Sequence, residues 1–140
     1  MSKVQNIFSN VDDTMSIDLL AVIVRADYST VVPGTEFCTE PENPLQVGVI
    51  SRKGGSNVEP HKHKNQYREI NVTHEVLFIR RGIVFITIYD HANREVTRVT
   101  LGDGDVILLM SGHSLEFVDD SEIVEVKQGP YTGQDKQFIR

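Results

Sequence analysis

With 140 residues, 39% of them hydrophobic and 24% charged, the chain is long enough to bury a core of its own and too apolar to be a disordered tail. A net charge of −6, with no dense Lys/Arg stripe, argues against the electrostatics that drive binding to a nucleic-acid backbone. The longest apolar run, LLAVIV at 19–24, is far too short for a membrane-spanning helix, and a single cysteine, Cys38, cannot form an internal disulfide.

The opening MSKVQNIFSNVDD lacks the basic-then-apolar layout of a secretory signal. With one thiol in the chain, the expectation is a cytoplasmic protein. Residues 1–16 are polar and mixed and read as a lead-in, and residues 17–140 read as a single domain. From there, short runs rich in Val, Ile, Phe, Thr and Tyr predict strands at 19–26, 45–52, 74–81, 83–90, 95–101, 105–110, 114–120 and 122–128. Between them stand turn-forming stretches such as VVPGTE, EPENP, RKGGSN, HANRE, GDGD and MSGH. Cys38, flanked by Phe37 and Thr39 with no neighbouring base, reads as a packed small residue. No segment keeps a helical apolar period over ten or more residues. The pattern therefore predicts an all-β domain, a sandwich or barrel of the jelly-roll or small-barrel kind.

Three of the five histidines fall within VEPHKHKNQYREINVTHEVLFIRRG, residues 58–82. In an extended strand, residues two apart share a face, so His61 and His63 would present two imidazoles side by side. Glu75 begins a row with Leu77 and Ile79, and a carboxylate heading an apolar row needs a cation or an Arg partner. His113, in the turn MSGHSLEF, supplies a fourth candidate. Three imidazoles and a carboxylate suit a divalent transition metal, with Fe, Mn, Ni, Co and Zn not separable by donor type. His74 precedes Glu75 and points to the opposite face, and His91 in YDHANRE reads as a solvated hairpin residue.

These residues resemble the cupin superfamily. Its first motif, Gly, five residues, His-x-His, three or four residues, Glu, six residues, Gly, is matched by Gly55, His61, His63, Glu75 and Gly82. The departure is an eleven-residue spacer, KNQYREINVTH, between His63 and Glu75; Glu69 lies within it but lacks the following strand and glycine. The second motif, Gly, five residues, Pro-x-Gly, two residues, His, is matched by Gly104 and Gly112. Met110 replaces the proline, and His113 comes directly after the glycine, with Leu115 at the strict histidine position. The resemblance covers about residues 45–128, with the core motifs at 55–117. It implies a double-stranded β-helix, the cupin jelly-roll barrel, usually a homodimer, with a metal held by His61, His63, Glu75 and His113 near one open end.

Tyr67 and Arg68, on the inserted loop, are candidates to recognise a carboxylate or phosphate of a small-molecule ligand, with Arg suited to bidentate contact. Lys127, Gln128 and Tyr131 stand where they could close a pocket, meet a dimer partner or face solvent. Three functional classes follow: a metal-dependent enzyme acting on a small polar metabolite such as a sugar derivative, a non-catalytic binder of a metal or small ligand, and a metal-free structural dimer. No Ser-His-Asp array, phosphate-cradling loop or CxxC pair points to another chemistry, and neither nucleic acid nor membrane is an expected partner.

Overall fold

Val84, Ile86 and Ile88 are wholly buried, while Phe85, Thr87 and Tyr89 between them are only half-buried. That two-residue alternation is the mark of a strand with one face on a core. The computed structural model describes residues 4–9, 17–30 and 33–140 and contains ten strands. They are β1 (Val4–Phe8), β2 (Leu19–Val24), β3 (Gly34–Phe37), β4 (Gly48–Ser51), β5 (Glu75–Arg81), β6 (Val84–Tyr89), β7 (Glu95–Leu101), β8 (Val106–Leu109), β9 (His113–Phe117) and β10 (Glu122–Lys127). Among the described residues there is no helix, and hence none long and apolar enough to cross a membrane. The all-β class expected from the sequence is what the chain adopts.

Every strand pair is antiparallel. Three sheets result, in the orders β1-β2-β8-β5-β10, β7-β6-β9 and β3-β4, and none of them closes on itself as a barrel. The core lies between the first two. Leu20, Ala21, Ile23, Leu77, Ile79, Ile107 and Leu109 come from the five-stranded sheet, and Val84, Ile86, Ile88, Val99 and Leu101 from the three-stranded one. Burying each such aliphatic side chain contributes about 1.5–3 kcal/mol, so this shared interior is what joins the two sheets.

The eight expected runs appear as β2 and β4 to β10. Two strands were not foreseen. Residues 4–8, read from sequence as part of the lead-in, pair as β1 along β2, and Gly34–Phe37, read as a turn, pair as β3 with β4. In β1 only Ile7 is buried and in β3 no residue is, so neither strand carries the apolar alternation that betrays one.

Two local devices hold the turns. Gly82, between β5 and β6, has φ +104°, and a Cβ placed there would overlap Ser121 Oγ and stand 2.8 Å from its Cα, so only glycine fits. Asp105, at the foot of β8, accepts from Ala26 N (2.9 Å) through Oδ1, and from Gly102 N (2.9 Å) and Arg25 Nη1 (3.2 Å) through Oδ2. That carboxylate joins the end of β2 to the β7–β8 turn.

Candidate functional site

The sandwich is not apolar throughout. Strand β5 turns Glu75, Leu77 and Ile79 inward, and β10 lays Lys127, Glu125 and Ile123 opposite those three in register. On the facing sheet, β9 sets His113, Leu115 and Phe117 beside the core residues Ile88, Ile86 and Val84 of β6. The inner faces are therefore aliphatic along β2 and β8 and become charged along β10 and the start of β9. Between them lies a cavity of about 750 Å³, whose walls include Thr73, Glu75, Leu77, Tyr89, Gly112, His113, Leu115, Ile123, Glu125 and Lys127. Residues 135–139 of the C-terminal segment complete the wall.

In its wall Glu75 Oε1 and His113 Nε2 are 2.6 Å apart, one from each sheet. His113 Nδ1 lies 2.9 Å from the Ser111 carbonyl oxygen. A carbonyl only accepts, so Nδ1 carries a proton and donates, and a second proton lies between Nε2 and Glu75. The hydrogen bond from His113 holds the Glu75 carboxyl down at about 2, against the opposing effect of burial. Burial disfavours a charged His113, yet the bonds to Glu75 and the Ser111 carbonyl outweigh it and leave the imidazole above its usual value. The pair is an imidazolium on a carboxylate. Glu125 shares a hydrogen bond with Glu75, and chiefly for that reason its own carboxyl is pushed up. Lys127 Nζ lies 3.7 Å from Glu125 Oε1.

Of the four residues assigned to a metal by resemblance, the structure brings Glu75 and His113 together. His61 and His63 lie elsewhere, on a stretch in which every residue from 52 to 73 is exposed. Their rings stand edge to face with centroids 5.4 Å apart, which agrees with the shared-face spacing, and His61 Nδ1 donates to the Glu59 carbonyl at 2.8 Å. Among the described residues, no group of three or more His, Cys, Asp or Glu is placed to hold a metal ion. With both ring nitrogens of His113 protonated, a cation would have to displace the Nε2 proton to bind there. His61, His63, Glu75 and His113 are not brought together as one ligand set.

Tyr67 and Arg68 share the exposed stretch and do not line the cavity; Tyr67 is 88% exposed, and Arg68 Nη2 donates to Gln66 Oε1. His91 is exposed in its turn as expected. His74 is buried on the face opposite Glu75, its backbone N donates to Gln128 Oε1 at 2.8 Å, and burial lowers its pKa. Cys38 is part-buried, and burial raises its thiol pKa, which suits a packed residue and not a nucleophile.

Glu125 is not among the expected site residues, and for Lys127 the sequence left a pocket wall, a dimer contact and plain solvent exposure open. The sequence EIVEVK misleads because Val124 and Val126 look like its inward face, whereas they are outward and 36% and 52% exposed. The available signal was pairing: Glu125 and Lys127 share parity with Ile123, the one residue of β10 packed against the core. No family model matches the chain, and no curated protein or solved structure matches it either.

Proposed function

We propose that this chain binds a small polar ligand in the cavity between its two sheets, with Glu75 and His113 as its central contacts. The observation that carries the reading is the 2.6 Å contact between Glu75 on β5 and His113 on β9, inside a cavity large enough for a metabolite. Charged groups on the inner faces of facing sheets are costly to bury, and a ligand with complementary donors and acceptors is the kind of occupant that would engage them. In architectural terms the facing antiparallel sheets are read as an open form of the cupin jelly roll, a reading supported by the spacing of Gly55, His61, His63, Glu75 and Gly82.

The test is a ligand-observed NMR screen of sugar derivatives and small organic acids against wild type, Glu75→Gln and His113→Asn. Hits on wild type should weaken about tenfold or more in either variant, as expected for losing a hydrogen bond to a charged group. A screen without hits, or hits indifferent to both substitutions, would refute ligand binding at this pair.

A second reading is that a divalent transition metal displaces the proton between Glu75 and His113 and uses these two as donors. It is favoured by their position on opposite walls of one cavity, in direct contact. Adding Mn, Fe, Co, Ni or Zn salts to metal-free protein should then raise Tm in wild type and not in His113→Asn. Equal responses in the two proteins, or none, would exclude it.

A further inference from the structure

After β10 the chain passes through Gly129–Pro130, a cis peptide, and returns along the cavity, which residues 135–139 line. It is fastened there at two points. Asp135 Oδ2 lies 2.8 Å from Lys127 Nζ, whose ammonium also stands over the Tyr131 ring at 5.3 Å from its centroid. Ile139 packs at Gly112, where a Cβ would come within 2.6 Å of Ile139 Cδ1. Gly112 thus forms a shelf that any other residue would fill. Residues 131–140 remain exposed along their whole length, and Phe138 is 74% exposed although it borders the cavity. A segment that buries so little surface and is tied by an exposed ion pair, a cation–π contact and an aliphatic contact is held weakly.

The chemistry at the two fastenings is informative. Lys127 is the inward-facing cation of β10, in register with Glu75, and the group it holds is a carboxylate of the protein's own tail. The Gly112 shelf beside His113 takes a branched aliphatic group. We propose that the C-terminal segment is a strap occupying the cavity mouth as an internal competitor, and that the ligand it gives way to is a small carboxylate with an aliphatic body. The ligand carboxylate replaces Asp135 on Lys127. This inference rests on the cavity being a ligand site and adds its ligand class and its gate.

The experiment is an NMR titration of the intact 140-residue chain with isovalerate and with its neutral amide, isovaleramide. Wild type should bind the acid in preference to the amide. Asp135→Asn, and separately Ile139→Ala, should tighten isovalerate binding by up to about fivefold, the scale of a surface ion pair or single exposed contact. Lys127→Gln should abolish the preference for acid over amide. Because both released positions lie on the surface, two independent substitutions guard against one that perturbs folding. Isovalerate binding that Glu75→Gln abolishes but that Asp135→Asn and Ile139→Ala leave unchanged would overturn the strap and keep the cavity as a binding site. Equal affinity of wild type for acid and amide, or no isovalerate binding in any of these proteins, would overturn the carboxylate assignment, while the wider screen judges the cavity separately.

Discussion

Glu75 and His113 titrate in opposite directions, and that sets a pH window. A carboxyl held at about 2 in the folded state contributes stability that is present above its ordinary value of 4.5 and is lost as pH falls below it. An imidazole raised above its ordinary 6.5 contributes stability that is present below 6.5 and is lost as pH climbs through the folded value. The pair is fully formed only between these limits. The difference in Tm between wild type and His113→Asn, followed from about pH 3 to about pH 9, should peak near pH 5–6 and shrink on both sides. A difference that stays flat, or that grows with pH, would contradict the imidazolium–carboxylate assignment. Both residues were legible in the sequence because each breaks a local rule: Glu75 heads an apolar row, and His113 occupies a glycine-bounded turn. What sequence could not supply was their contact, since it depends on how two sheets are stacked and not on any spacing along the chain.

Between residue and fold, the strands are held in place by carboxylates at their ends. Asp105 takes three donors at once, from the end of β2 and from the β7–β8 turn. Asp90 does the same for the β6–β7 hairpin, accepting from Ala92 N, Arg94 N and Arg94 Nε, each at 2.9 Å. Removing Asp105 takes the acceptor from two backbone N–H groups at a part-buried corner and one partner from Arg25, which keeps its bond to the Thr100 carbonyl. Asp105→Ala should therefore lower unfolding free energy by about 2–4 kcal/mol, measured by urea denaturation, with the midpoint falling and the slope unchanged. A loss below about 0.5 kcal/mol, the scale of an ordinary surface change, would show that the corner is held by packing alone. The central strands were readable because burial imposes alternation on them, as in Val84, Ile86 and Ile88. The edge strands were not: β1 and β3 are defined by their backbone pairing to β2 and β4, and a main-chain hydrogen bond leaves no trace in residue type. β10 shows a third case, in which the more apolar face points outward and composition gives the wrong side.

At the scale of the whole molecule, the sequence pattern fixed the class but left sheet closure undecided, because closure depends on which edge strands meet. The five-stranded sheet interleaves early and late parts of the chain, with β2 lying between β1 and β8. The stretch 52–73, by contrast, is exposed at every residue and carries Arg52, Lys53, Lys62, Lys64 and Arg68. Brief trypsin treatment should cut there first, since exposed segments without strand pairing are the preferred sites of nicking. The two large products should co-elute on gel filtration and separate only in denaturant; early cleavage within a strand, or prompt dissociation, would contradict this arrangement. The topology has an additional consequence. Everything before the cut contributes β1 and β2 to a sheet whose other three members, β8, β5 and β10, all come after it, so the molecule is laid out as two complementing fragments. Expressed as separate polypeptides divided within 52–73, the halves should find one another along the edge of β8 that β2 pairs with, and the Glu75–His113 pair, carried wholly by the second fragment, would report their reunion.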